Sequence, residues 1–519
     1  MHSRHLFLVA LAFVEGAAVM MVELVVARIL APVYGSSLYV WGTVVGITLA
    51  SLTAGYYLGG WLSRRSARRD LVIWFMLFAA VLIAFLPHLA RPLLPAFVSL
   101  GTIPAIFLLG TALLAPCLVL LGATTPLIIS LLADRIEHAG RAAGLVYGVS
   151  TVGGILGTFA AGFYLVPLLG LTITALLAGL LLMALPLADL LGQRRLGAAL
   201  VPVIVLASLG LQPESEAHPD VEVVYQSEGL LGQLKVIDFT YAPPDRPGRR
   251  TDRILFVNRT AQTWIHRDSG DPVWDYMRYI QSVASVLPEN SRVLLLGLGG
   301  GTIAGQLQQL GLAVDSVELD ARIAAVARDY FGLEHSGDVF IDDARHFLRA
   351  TDRRYDLIVF DVFQAEVPPA HLLTLETFRN IGDRLTSDGF FIVNYSGYLS
   401  GSTGRGARSI YRTLVEATSH VLVIPTAEDE HIANNLLIAS NHRLDLSDPR
   451  HPLTIQGVRQ HLPDLALDPG EITLDDALVL RDNQPILEKL NLEAAAGWRK
   501  TYYEHFTRPF IEKGVPIFE

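Results

Sequence analysis

A chain of 519 residues, 51% hydrophobic with a net charge of −10, has room for two or three domains and is too apolar for one ordinary soluble enzyme. The negative balance excludes a broad nucleic-acid-binding face, so no nucleic-acid partner is expected. The single cysteine, Cys117, excludes an intrachain disulfide and a cysteine-based metal centre, and no metal is expected.

The apolar excess lies in residues 1–212. A membrane-crossing helix needs roughly 20 apolar residues. Seven segments qualify, 6–30, 38–61, 71–90, 103–132, 143–167, 170–188 and 196–211, the last being the shortest. The first run is long enough to span, which favours a retained helix over a cleaved signal peptide. Pro104, Pro116 and Pro126 predict a kink in the fourth segment. Glycines four apart (Gly42 and Gly46, Gly55 and Gly59, Gly153 and Gly157) predict close helix packing. Glu15, Glu23 and Arg28 fall in or near the first segment, where an ionisable group is costly. Glu23 and Arg28 read as interfacial. For Glu15, a structural and a functional reading stay open.

Arg4, the group Arg64, Arg65, Arg68 and Arg69, then Arg135 and Arg141, then Arg194 and Arg195 occupy alternate links, which predicts a cytoplasmic N-terminus. Seven crossings would then place the C-terminal part outside, and six would place it in the cytoplasm.

Residues 213–290 read as a linker (212–220) and a β-rich region with strands at 221–225, 233–240 and 253–258, and a proline-rich loop at 242–252. A helix near 272–287 precedes a third region, 291–519, in which strands alternate with helices. The strands are expected at 292–296, 313–319, 338–341, 355–361 and 389–394, with helices at 302–310, 321–330, 343–350 and 374–385. This alternation predicts a mostly parallel, doubly wound α/β sheet binding its ligand at the carboxyl ends of the strands.

Gly297, Gly299, Gly300 and Gly301 follow the first of these strands and open a helix. The pattern is G-x-G-x-G with Thr302 next, which favours an AdoMet-type pocket over a dinucleotide site. Glu318 ends the next strand, where a carboxylate can accept ribose hydroxyls. Asp342 and Asp343 end the third strand, where a carboxylate can accept an adenine amino group, and Asp361 ends the fourth. Each acid alone also reads as the N-cap of the following helix.

Gly297 to Gly301, Val317-Glu318-Leu319-Asp320, Asp343-Ala344-Arg345 and Tyr355-Asp356-Leu357-Ile358-Val359-Phe360-Asp361 resemble the spermidine synthase series over roughly 220–400. In the first half, Glu23 to Arg28, Gly35 to Trp41 and Tyr57 to Gly60 resemble the multi-span region of bacterial fused transporter-like/spermidine synthase proteins. The resemblance implies a multi-span α-helical membrane domain followed by a Rossmann-like AdoMet-transferase domain with a small N-terminal β-region. It implies Glu318 on the ribose, Asp343 on the adenine, Gln262 at the family's strand glutamine, and Asp361 as general base. It also implies decarboxylated S-adenosylmethionine or S-adenosylmethionine as co-substrate, an amine such as putrescine as acceptor, a lipid bilayer as partner, a multi-pass position in the cell (inner) membrane, and leaves a homodimer open.

The pattern departs from the family at the amine end. Gly300 stands where the soluble synthases have Asp in Gly-Gly-Gly-Asp-Gly, and Asp361-Val362-Phe363-Gln364 replaces Asp-Ser-Ser-Asp. Val257-Asn258-Arg259 replaces Leu-Asp-Gly, and Leu231-Gly232 replaces Tyr-Gln. Methyl transfer to another acceptor, and a transporter or sensor with a non-catalytic nucleotide domain, therefore stay open. The loop 364–374, with Glu366, Pro368, Pro369 and His371, is expected to cover the site. Asn394 and Tyr395, ending the fifth strand, are expected to line it. Asp475, Asp476, Arg481, Asp482 and Asn483 read as solvated loop charge.

Overall fold

The computed structural model describes residues 2–34, 38–66, 68–97, 102–133, 136–211, 219–229, 231–243, 248–258, 260–334, 337–362, 369–427, 434–502, 504, 506, 508 and 510. Gly35, Ser36, Ser37, Arg135, Arg259, Phe363, Gln364, Glu366, Pro368 and most of the 212–220 linker lie outside the described residues. The chain divides into two compact units, one of Met1–Ser215 with Ser227–Gly232, the other of Glu216–Gln226 with Gln233–Glu519.

Among the described residues, the part of the first unit before its linker is helical apart from short links. Its helices are α1 (His2–Tyr34), α2 (Leu38–Ser66), α3 (Arg69–Phe97), α4 (Thr102–Leu132), α5 (Ala139–Phe159), α6 (Val166–Gly192) and the short α7 (Leu200–Ala207). Among the described residues, four helical stretches are long and apolar enough to cross a membrane: Arg4–Ala31, Arg69–Leu93, Ile103–Leu132 and Ala139–Gly192. The last, 54 residues long, joins α5 and α6 through a π-helical turn at Ala160–Leu165 and is broken at Gly170, whose φ is +76°. The seventh expected span is a shorter apolar helix, Gly197–Gly210. Large apolar side chains also cover the outside of the bundle, including Leu49, Phe78, Phe107 and Leu168. A helix apolar on every face suits hydrocarbon better than water.

The glycine pairs divide in role. A Cβ on Gly153 or Gly157 would strike the carbonyl oxygens of Phe13 or Ala17, and one on Gly55 or Gly59 those of Val119 or Ala123. These four let α5 meet α1 and α2 meet α4 at backbone distance. A Cβ on Gly42 or Gly46 would meet nothing within 4 Å among the described residues.

The second unit starts with a four-stranded antiparallel sheet in the order β1 (Val221–Ser227), β2 (Leu234–Tyr241), β3 (Arg250–Val257), β4 (Thr260–His266). The helix α8 (Tyr276–Ala284) then leads into alternating strands and helices: β5 (Arg292–Leu296), α9 (Thr302–Gln309), β6 (Ala313–Glu318), α10 (Ala321–Phe331), β7 (Val339–Ile341), α11 (Ala344–Ala350), β8 (Tyr355–Phe360), α12 (Leu375–Asp383), β9 (Leu385–Ser396) and α13 (Arg405–Ala417). Two more strands follow, β10 (His420–Pro425) and β11 (Asn434–Ser440).

Seven strands form one sheet in the order β10-β11-β9-β8-β5-β6-β7. The five from β9 to β7 are parallel, as expected, while β11 lies antiparallel between β9 and β10. Side chains alternate across the sheet: Leu294 and Leu296 enter one core cluster, Val293 and Leu295 another. Both faces are therefore buried, and such strands read as continuous apolar runs. The strand order reverses between β5 and β8, and sheets of this kind bind ligands outside the carboxyl ends of the strands at such a switch point.

Candidate nucleoside and amine site

A row of backbone hydrogen bonds aligns the carboxyl ends of four strands. Asp361 N–H donates to Leu296 O (2.9 Å), Gly297 N–H to Val317 O (2.9 Å), and Asp342 N–H to Glu318 O (3.0 Å). Asp361, the glycine turn, Glu318 and Asp342 are thus neighbours along one edge. Three acids far apart in sequence converge there because parallel strands of matched register end together.

The glycine turn is sterically closed. Gly297 has φ +87°, and a Cβ there would lie 2.3 Å from the Asp361 carbonyl oxygen. Gly300 N–H donates to Thr263 Oγ1 (2.7 Å), and a Cβ at Gly300 would meet Thr263 Cγ2 at 2.7 Å and the Phe331 ring at 3.0 Å. Position 300 therefore has no room for the aspartate that the related soluble pattern carries. Gln262, beside Thr263 on β4, has its carbonyl oxygen 3.8 Å from where a Gly299 Cβ would be. The small sheet thus supplies one wall of the turn.

Glu318 is buried and accepts from the N–H groups of Leu298 (3.1 Å) and Asp320 (2.9 Å). Its burial pushes the carboxyl above its usual range, and the two backbone donors oppose that rise. Asp320 caps α10 and pairs with Arg322, which makes it structural. Asp343 caps α11 through Oδ1, accepting from Arg345 N–H and His346 N–H at 3.0 Å each. Its Oδ2 lies 3.6 Å from His371 Nε2. Asp342 accepts from Asp343 N–H (2.8 Å) and contacts His346 Nδ1 (2.7 Å). The capping alternative for Asp343 is therefore realised for one oxygen, and the other is directed to His371.

Asp361 anchors a polar chain that sequence reasoning found only in part. Its Oδ1 accepts from Asn394 Nδ2 (2.6 Å), and Asn394 Oδ1 accepts from Asn434 Nδ2 (2.9 Å). Its Oδ2 accepts from Tyr276 O–H (3.4 Å). Burial pushes Asp361 up to about 6, against the two bonds that favour the ionised form. Burial, and then the Asp361 charge, hold the Tyr276 phenol well above its ordinary value, so it stays a donor. Tyr276 stacks on Trp274 at 6.4 Å, and Trp274 meets Trp264 edge to face at 6.5 Å. Tyr276 precedes the predicted strand motif, and Asn434 comes from the antiparallel insertion β11. No local pattern pointed to either.

The loop ahead of α12 is held from below. Arg345 donates to His371 O (3.0 Å) and pairs with Asp482, whose Oδ1 accepts from Thr374 O–H (2.8 Å). A cavity of about 200 Å³ opens there, lined by residues including Arg345, Arg349, His371, Thr374 and Asp482. Asp476 pairs with the buried Arg408 at 2.7 Å. The charges read as solvated loop residues thus include two that fix internal arginines. Asn258, with φ +49°, exchanges bonds with Gln233 across the β2–β3 end and serves the sheet.

A glycine turn with acids at consecutive parallel strand ends defines an α/β unit of the AdoMet-transferase type. Residues 275–405 match the spermine/spermidine synthase domain family, so the C-terminal unit carries a spermidine synthase-like domain. The chain is 32% identical over 143 residues to a polyamine aminopropyltransferase of Vibrio vulnificus, covering 26% of this chain and 48% of that one. It is 23% identical over 410 residues to polyamine aminopropyltransferase 2 of Aquifex aeolicus, covering 73% of this chain and 77% of that one. An N-terminal histidine N-methyltransferase of Emericella nidulans is 32% identical over 143 residues, 25% of this chain and 26% of its own length. The chain thus spans about half of the length of the Vibrio vulnificus relative and about a quarter of that of the Emericella nidulans one. Among solved structures, spermidine synthase from Thermotoga maritima aligns with a TM-score of 0.33 at 17% identity, over 52% of this chain and 87% of that one.

Proposed function

We propose that this chain is a membrane-anchored transferase that moves an aminopropyl group from decarboxylated S-adenosylmethionine to an amine such as putrescine. The observation that carries this reading is the row of joined strand ends, with Asp361 held at about 6 beside the glycine turn. In the reaction a neutral amine nitrogen attacks the aminopropyl carbon next to the sulfonium. A C–N bond forms as the C–S bond breaks, and neutral methylthioadenosine leaves. The proton shed by the new ammonium passes to Asp361. Glu318 accepts the ribose hydroxyls, Asp342 and Asp343 flank the adenine, and the glycines admit the nucleoside to the backbone. Tyr276 and Asn394 position Asp361 and keep its ionised form within reach at neutral pH.

The test is methylthioadenosine release by the full-length protein in detergent, with decarboxylated S-adenosylmethionine and putrescine. Release that depends on both substrates supports the proposal. Absence of release together with S-adenosylhomocysteine formed from S-adenosylmethionine would replace it with methyl transfer. The closed space at Gly300 favours that second reading, because it removes one acid from the amine end.

Four further outcomes are expected. Asp343→Ala should lower nucleoside affinity at least tenfold by titration calorimetry and cost about 1 kcal/mol of stability through the lost cap. Activity should rise as pH increases through about 6, because the base must be ionised. Asn394→Ala removes a bond that lowers the Asp361 pKa, so the acidic limb of the rate profile should move to higher pH. Lastly, six crossings, with α2 added to the four apolar stretches, the 54-residue stretch crossing twice and the short helix Gly197–Gly210 omitted, would combine with the arginine pattern to put the C-terminal unit in the cytoplasm, near the nucleoside pool. A reporter fused after Glu519 should be active only on the cytoplasmic side.

A further inference from the structure

Within the helical unit, a cavity of about 370 Å³ lies among α1, α2 and α5. Glu15 lines it and is only 4% exposed. Ser150 O–H donates to Glu15 Oε2 at 2.9 Å. Tyr56 and Tyr147 flank the same space, their rings edge to face at 6.3 Å. Among the described residues, none that lines the cavity is Arg, Lys or His. Leu52 and Ile155 add apolar wall.

A carboxylate buried in an apolar bundle is costly, and the cost falls when a counter-charge occupies the space beside it. The chemistry of the walls selects the kind of cation. A hard inorganic ion needs six or more oxygens at short range, whereas this cavity offers one carboxylate, a few hydroxyls and much apolar and aromatic surface. An organic ammonium uses all of these. Its charge meets Glu15, its N–H groups meet hydroxyl oxygens, and its carbon chain lies on Tyr and Leu surface, with the rings adding cation–π attraction. The volume exceeds that of a four-carbon amine.

We infer that the Glu15 cavity is a second amine site, separate from the Asp361 site, that binds an alkylammonium cation by its head at Glu15 and its chain along the paired Tyr56 and Tyr147 rings. The inference stands on the helical unit alone and does not require the transferase reading.

The test is calorimetric titration of the full-length protein in detergent with n-butylammonium, using n-butanol as the uncharged control. Binding of the ammonium and not of the alcohol is expected in the wild type and in Asp361→Asn. Glu15→Gln should weaken it at least tenfold. Ile155→Trp, which fills the cavity mouth without touching the carboxylate, should weaken it to a similar degree, and it covers the case in which the Glu15 variant does not fold. Unchanged binding in both the Glu15 and the Ile155 variants, or loss of all binding in Asp361→Asn, would overturn the inference. The second of these results would assign the amine to the soluble site and leave the transferase reading standing.

Discussion

Replacing Asp361 by Asn is expected to lower methylthioadenosine release on the order of a thousandfold, within the range typical of a lost general base. Nucleoside affinity, measured by titration, should change little, because Glu318, Asp342 and Asp343 remain. The same change should spare stability or raise it at alkaline pH, which separates a chemical from a structural role. The folded carboxyl titrates at about 6 against an ordinary 3.8, so the folded state holds its proton more tightly than the unfolded chain does. Stability from that proton is complete below about pH 4 and is lost as pH rises through 6, a loss of about 3 kcal/mol at pH 8. Asn has no such dependence. Against that gain, Asn394 and Tyr276 both donate to Asp361, and one of these bonds is lost in Asn. Thermal melts from pH 4 to pH 8 should show the wild type losing ground relative to the variant. A parallel pair of curves would contradict the raised pKa.

The second large effect is expected at Gly297. Its φ of +87° is unfavourable for any residue with a Cβ, and that Cβ would overlap the Asp361 carbonyl oxygen at 2.3 Å. The oxygen belongs to the backbone and the Cβ position is fixed by it, so neither can yield cheaply. Gly297→Ala should cost about 2–4 kcal/mol and shift Asp361 away from Asn394, so both the melting temperature and turnover should fall. Gly305→Ala is the control: it lies in α9, and its added Cβ meets nothing within 4 Å. There the better helix propensity of Ala should leave the protein as stable or slightly more so. Equal effects at the two positions would show that the turn is not held as described.

The acids of the site were legible because each follows an apolar run of strand length and precedes a helical pattern. That placement alone assigns Glu318, Asp342, Asp343 and Asp361 to strand carboxyl ends. Gly297 to Gly301 were legible for the same reason. Tyr276, Thr263 and Asn434 were not, since their partners Asp361, Gly300 and Asn394 lie 85, 37 and 40 residues away. Hydrogen bonds over such separations leave no periodic trace. The region after β9 was also unread. There the chain inserts β11 antiparallel between β9 and β10, and only that order brings Asn434 to Asn394.

Sequence by itself determined the long apolar helices, the alternation of strands and helices, and the placing of an acid at three strand ends, because local hydrophobic period and segment length encode them. Tertiary structure alone decided which strand ends meet and how deeply Asp361 is buried. It also decided that Gly300 has no space for a side chain and that Glu15 faces a cavity lined by Tyr56 and Tyr147. Each of these depends on pairing register and packing between distant segments, and burial, which sets the cost of a charge, exists only once those segments have met.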